Sequence, residues 1–76
     1  MKAVRIYYEV HAYPIGSNGN GATERQFGSG KNAKAAAIAK GEELWNTGEY
    51  EAVFVNAHND EEVVDDECVT IGILKD

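Results

Sequence analysis

Apolar and polar side chains alternate over residues 2–13 of the chain. Five residues that are mostly β-branched or aromatic share one face of an extended backbone: Val4, Ile6, Tyr8, Val10 and Ala12. The opposite face carries Arg5, Tyr7, Glu9, His11 and Tyr13. This period of two predicts a half-buried β-strand over residues 2–13. Pro14 should end the strand because proline cannot donate a hydrogen bond to a neighbouring strand.

Three further segments have the pattern of short strands, at residues 23–28, 50–58 and 68–74. In the last two segments, valine, isoleucine or alanine recurs at every second position, which places one apolar face toward a core. Residues 14–22 (PIGSNGNGA) lie between the first two strands and are rich in glycine and asparagine. These residues adopt turn conformations at little steric cost, so the segment is predicted to be a mobile loop.

A single α-helix is predicted over residues 32–47. Its alanines have the highest intrinsic helix propensity. Asn32 or Ser29 is expected to cap the first turn, and Gly48 stands where helices commonly end on a left-handed residue. The large apolar side chains of the helix fall on one stripe with Ala37 and Gly41. The helix is therefore expected to lie close to the surface that supports it.

The element order β-β-α-β-β predicts an α+β protein with a single domain over residues 1–76. A four-stranded antiparallel sheet with the helix packed on one face is the simplest arrangement that buries both apolar sets. The strand orders 2-1-3-4 and 2-1-4-3 both fit the pattern. The predicted core consists of Val4, Ile6, Tyr8, Val10, Phe27, Ala37, Ile38, Leu44, Trp45, Val53, Val55, Val69, Ile71 and Ile73.

Charge is distributed unevenly along the sequence, which has a net charge of −6. Residues 1–40 hold six basic and two acidic residues, whereas residues 41–76 hold one basic and eleven acidic residues. Six acids cluster in an acidic segment, residues 60–67: Asp60, Glu61, Glu62, Asp65, Asp66 and Glu67. The segment is interpreted either as a solvated loop or as a docking surface for a basic partner, such as a nucleic-acid-binding protein.

Aromatic side chains recur on the face of the predicted sheet that points away from the core. They are Tyr7, His11 and Tyr13 on the first strand, and Tyr50 and Phe54 on the third. Three interpretations fit: an interface in which tyrosine contributes strongly to binding, a platform on which nucleic-acid bases stack, or cross-strand pairs that only stabilise the sheet.

The sequence contains no motif for catalysis or for a bound cofactor. Lys31 follows a glycine-rich stretch, but Asn32 stands where a phosphate-binding loop needs serine or threonine. His11 and His58 fall on different strands, and Cys68 is the single cysteine. Neither a zinc site nor nucleophilic catalysis is therefore expected. We predict a non-enzymatic protein without metal or cofactor.

A cytoplasmic protein is predicted from the N-terminus, the cysteine content and the hydropathy. The charged residues Lys2 and Arg5 interrupt the apolar stretch that a secretory signal needs. One cysteine cannot form an internal disulfide. No apolar run approaches the roughly 18 residues that a membrane-spanning helix requires, so no membrane association is expected.

The layout resembles small phage and mobile-element proteins that disable host machinery. The chain opens with MKAVRIYYEV, passes through a polar loop into an alanine-rich helix (AKAAAIAKGEELW) and continues into two short strands. Over most of its length it resembles anti-CRISPR proteins of type I systems in size, composition and element order, and it is similar to small phage inhibitors of host RNA polymerase. The resemblance implies stoichiometric binding, with the acidic segment mimicking phosphate charge. No individual functional residue carries over.

The function predicted from the sequence is therefore a small acidic inhibitor that binds a host protein or ribonucleoprotein complex with a basic surface. The contact would be made by the acidic segment or by the aromatic face. A sheet-face nucleic-acid-binding module is the first alternative, disfavoured by the net negative charge because phosphate neutralisation supplies most non-specific affinity. The second is a self-associating domain, such as a homodimer that pairs through an edge strand.

Overall fold

Four antiparallel strands form one open sheet, and one α-helix packs on one of its faces. The computed structural model describes residues 5–74. The strands are β1 (Tyr7–Pro14), β2 (Thr23–Ser29), β3 (Tyr50–His58) and β4 (Val69–Ile73); the helix α1 is Lys31–Asn46, and a 3-10 helix spans Asp65–Glu67. The spatial order is β2-β1-β3-β4. The α+β class and the element order are confirmed, and the first of the two strand orders is the observed one.

Within the described residues, strand β1 begins at Tyr7, later than the sequence pattern indicates. Its first residue, Tyr7, lies opposite Ser29 and His58, the last residues of β2 and β3. Among residues 5–74, neither neighbouring strand extends past that point, so the ladder ends there. Of the apolar residues that precede it, Ile6 packs against the core, and Val4 lies outside the described residues.

The two ends of α1 differ in how well they are capped. Gly30, with φ of 93°, precedes the first turn and offers no side chain, so the expected cap by Ser29 or Asn32 is wrong. At the other end the Thr47 hydroxyl donates to the Leu44 carbonyl at 2.7 Å. Gly48 follows with φ of 77°, as predicted for a residue after a helix end.

The core lies between α1 and the sheet and is built at the helix side from small residues. Ala33, Ala37 and Gly41 are the buried positions of the helix. A Cβ atom at Gly41 would lie 2.8 Å from the Ile71 side chain, so the predicted close approach is confirmed. The sheet contributes buried side chains from its two central strands: Tyr8, Val10, Ala12, Val53, Val55 and Ala57.

A bulge in β4 removes one predicted core residue. Val53 pairs with Gly72 and Phe54 with Thr70, so Ile71 is an extra residue on β4. The bulge reverses the alternation beyond it. Ile71 packs against the core, whereas Ile73 is 59% exposed, and its predicted burial is wrong.

A second bulge, at the start of β3, changes the position of Tyr50. Tyr13 pairs with Ala52 and Pro14 with Tyr50, which leaves Glu51 as the extra residue. Tyr50 consequently packs against the buried cluster, so its predicted place on the aromatic face is wrong. The Glu51 carboxylate accepts a hydrogen bond from Gly16 N–H at 2.7 Å and so ties the glycine-rich loop to β3.

Within residues 5–74, α1 does not have the length and apolar character that crossing a bilayer would require.

Candidate functional site

The outer face, the side of the sheet turned away from α1, carries a stack of aromatic rings. The antiparallel register places His11 opposite Phe54 and Tyr7 opposite His58. The His11 and Phe54 rings stack at 5.2 Å with an interplanar angle of 9°, and the Tyr13 ring also stacks on Phe54, at 5.8 Å. Tyr7 and His58 stack at 5.7 Å. Four of the five predicted aromatic residues therefore share this face.

A carboxylate lies at the centre of the outer face. Glu9 Oε1 accepts hydrogen bonds from His11 Nε2 at 2.9 Å and from Asn56 Nδ2 at 3.2 Å, and Glu9 Oε2 lies 3.9 Å from His58 Nε2. The Glu9 side chain is only 13% exposed. Burial alone would raise the pKa of Glu9, but the hydrogen bonds from His11 and Asn56 and the nearby histidines lower it overall. Glu9 is therefore a half-buried, ionised group that fixes the side chains around it.

The first part of the acidic segment is held in a defined turn beside the outer face. Asn59 Oδ1 accepts hydrogen bonds from the backbone N–H groups of Glu61 and Glu62, both at 2.8 Å. Asn59 N–H donates to the Glu62 carbonyl at 2.9 Å. An asparagine side chain that bonds its own following backbone is a common turn device. The turn leaves Asp60, Glu61 and Glu62, the acidic rim, exposed to solvent.

The acidic rim and the outer face meet at His58. An open cleft of about 360 Å³ is lined by rim residues together with Glu9, Asn56 and His58. The sequence left open whether the acidic segment or the aromatic face is the binding surface. In the structure the two are parts of one continuous surface.

Glu67, at the end of the acidic segment, belongs to the other side of the sheet. Its carboxylate accepts hydrogen bonds from Lys34 Nζ and from the Tyr8 hydroxyl, both at 3.1 Å. Lys34 and Tyr8 hold the pKa of Glu67 below its ordinary value. The pKa of Tyr8 is raised, mainly by burial and secondly by the Glu67 carboxylate. Asp65 and Asp66 stay exposed on the 3-10 helix, so the six predicted acids do not act as one group.

The uneven distribution of charge along the sequence does not give the folded molecule one basic end and one acidic end. Lys34 and Glu67 come from opposite halves of the chain and form an ion pair. Arg5 and Lys31 line an open cleft of about 550 Å³ together with that pair. Basic and acidic residues are thus neighbours at this end of the sheet.

Replacing Glu67 by glutamine should lower the melting temperature at pH 7 and make the melting temperature fall less steeply as the pH is lowered. A carboxylate whose folded-state pKa is lowered stabilises the fold above its unfolded pKa, about 4.3, and loses that contribution as pH falls through the folded value. Thermal unfolding followed by circular dichroism at pH 7 and pH 3 measures the difference between the variant and the wild type. That difference should shrink at pH 3. An equal difference at both pH values would contradict the assignment.

The single cysteine is engaged with the backbone. Cys68 Sγ accepts a hydrogen bond from Ala57 N–H at 3.3 Å and lies 3.4 Å from the Val64 carbonyl oxygen. The thiol lies beside Ala57, at a point on β3 beyond the residues that pair with β4. This is the environment of a structural side chain.

The site residues predicted from the sequence do not include Glu9, His58, Asn56, Asn59 or Glu24. Asn56 lies at an outer-face position in the alternation of β3. Asn59 comes directly before acidic residues, which is typical of a turn, so both residues carried a local signal. Glu24 could not be placed without knowing that it pairs with His11 across β1 and β2.

Comparison of the chain with protein-family models, curated proteins and solved structures gives no significant match.

Proposed function

We propose that the chain is a small non-catalytic binding protein that covers a basic surface on a host protein or ribonucleoprotein complex. It would act in the cytoplasm as a stoichiometric inhibitor, like the phage proteins of the anti-CRISPR type that it resembles in layout. The observation that carries the proposal is the junction at His58, where the acidic rim and the outer face line one open cleft.

The chemistry of this junction suits arginine and lysine side chains. Guanidinium groups pair with carboxylates through two parallel hydrogen bonds and stack on aromatic rings. The rim supplies exposed carboxylates, and the stacked rings of Tyr7 and His58 lie beside them. A nucleic-acid phosphate would meet the same carboxylates and be repelled, so a protein that itself binds nucleic acid is the partner that we propose.

Binding rather than catalysis is favoured by what the reactive side chains already do. Cys68 Sγ is occupied by backbone groups, and the His11 ring is held between Glu9 and Phe54. The cleft beside His58 is open to solvent. Catalysis needs groups converging on a site that excludes water.

The test is affinity capture from a nuclease-treated bacterial lysate with the tagged full-length chain. The rim variant carries Asp60→Asn, Glu61→Gln and Glu62→Gln. The control carries Glu42→Gln, Glu43→Gln and Glu49→Gln, the same change in charge at exposed positions on α1 and after it. The turn is held by the Asn59 side chain and the backbone N–H groups of Glu61 and Glu62. The rim variant keeps these groups and should therefore fold normally.

A supporting result is a basic nucleic-acid-binding protein whose affinity for the rim variant falls at least tenfold, with the control within twofold of the wild type. Affinity should also decrease as salt rises from 50 to 300 mM. Equal losses in both variants would mean non-specific charge attraction and would overturn the proposal. Recovery of nucleic acid alone, lost after nuclease treatment, would favour the nucleic-acid module. Concentration-dependent mass in light scattering without any captured partner would favour self-association.

A further inference from the structure

We propose that Glu9, His11 and Glu24 form a binding site for a divalent first-row transition metal of the zinc type. Each residue offers one ligand atom, and these atoms lie within 4.8 Å of one another. The site lies on the outer face at the junction of β1 and β2. It does not depend on the proposed function, because the acidic rim contributes no ligand to it.

The sheet register brings the three residues together. His11 and Glu24 are direct partners across β1 and β2. Glu9 is two residues from His11 on the same strand and therefore on the same face. A histidine and two carboxylates thus converge from two strands held by backbone hydrogen bonds, although they are spread over 16 positions of sequence.

The ligand types and spacing suit zinc. Zinc binds imidazole nitrogen and carboxylate oxygen at about 2.0–2.2 Å, and tetrahedral geometry then sets ligand atoms about 3.3 Å apart. His11 Nε2 and Glu9 Oε1 are 2.9 Å apart and need to separate only slightly. Glu24 is exposed at the edge of the sheet and can approach without disturbing the core. Three protein ligands leave a fourth position for water, and two carboxylates balance the charge of the ion.

Neighbouring side chains already hold two of the ligands in place. Asn56 Nδ2 donates to Glu9 Oε1 at 3.2 Å, and the His11 ring is stacked on Phe54. Such supporting contacts orient metal ligands before the ion arrives. The hydrogen bond between His11 and Glu9 competes with metal binding, because the ion would take the place of the proton that lies between the two side chains.

Isothermal titration of the tag-free full-length chain with zinc chloride at pH 7.5 tests the site. We expect one ion per chain with a dissociation constant in the micromolar range. Glu24→Gln should weaken binding at least tenfold, and it should not affect folding because Glu24 is exposed at the sheet edge. His11→Gln should do the same, with circular dichroism to verify its fold. Glu61→Gln, in the acidic rim, is the matched control and should bind within twofold of the wild type.

Two results would overturn the assignment. The first is the absence of a saturable 1:1 binding event up to millimolar zinc. The second is binding that survives Glu24→Gln and His11→Gln but is lost in His58→Gln or Glu61→Gln. That outcome would place the ion at the cleft beside His58. Neither result bears on the capture experiment, which uses rim substitutions and no added metal.

Discussion

Replacing Gly72 by alanine should destabilise the protein by about 2–3 kcal/mol, as overpacking of a rigid contact does. The alanine Cβ would lie 2.7 Å from Cζ2 of the Trp45 ring and closer still to two other atoms of the ring. A tryptophan ring cannot bend away, so the whole side chain or the strand must move. Gly72 does not have the positive φ of the turn glycines, so the cost comes from the ring and not from the backbone.

A double-mutant cycle separates this clash from any other effect. In a Trp45→Leu background the smaller side chain leaves room, and Gly72→Ala should then cost less than about 1 kcal/mol. Urea unfolding of the four proteins gives the free energies of unfolding. An equal cost of Gly72→Ala in both backgrounds would contradict the close contact between β4 and the helix.

Ala37→Leu should destabilise the protein by about 3 kcal/mol, whereas Ala36→Leu should change stability by less than about 0.5 kcal/mol. Leucine and alanine have similar helix propensities, so the helix itself is little affected. Ala37 is fully buried against the sheet, and Ala36 is exposed on the neighbouring position. The additional methyl groups at position 37 would push the helix off β1 and β3.

Thermal unfolding of both variants measures the contrast. The wild type and Ala36→Leu should melt within a few degrees of each other, and Ala37→Leu should melt far lower or fail to fold. If Ala37→Leu fails to fold, Ala37→Val, with a smaller excess volume, should show a partial loss. A stable Ala37→Leu protein would mean that the helix does not approach the sheet as closely as its buried small residues indicate.

The fold was predictable because its signals are local. Alternation along β1 and β3 and the alanine-rich stretch of α1 identify the elements without knowledge of their partners. Apart from the helix cap, the errors lie where the pairing with a neighbouring strand determines which way a side chain faces. Bulges at Glu51 and Ile71 move Tyr50 inward and Ile73 outward. A bulge depends on the register of two strands, which no pattern within one strand reveals.

The candidate site also has one part that the sequence predicts and another part that depends on strand pairing. The outer-face positions of Tyr7, His11, Tyr13 and Phe54 follow from alternation alone. Their convergence with the acidic rim at His58 depends on the pairing of β1 with β3 and on the turn at Asn59. The ion pair of Glu67 with Lys34 joins residues 33 positions apart. For that reason the acidic segment looks uniform in sequence but divides between two sides of the sheet.

The most direct test of a single binding surface is an NMR titration of the ¹⁵N-labelled chain with an arginine-rich peptide at 50 mM salt. Amide shifts should change at Tyr7, Phe54 and His58 and along the acidic rim, and residues around Glu42 and Glu43 on α1 should stay unchanged. The rim variant should lose the response. Shifts spread over all acidic residues, or confined to α1, would contradict the claim that the outer face and the acidic rim act together.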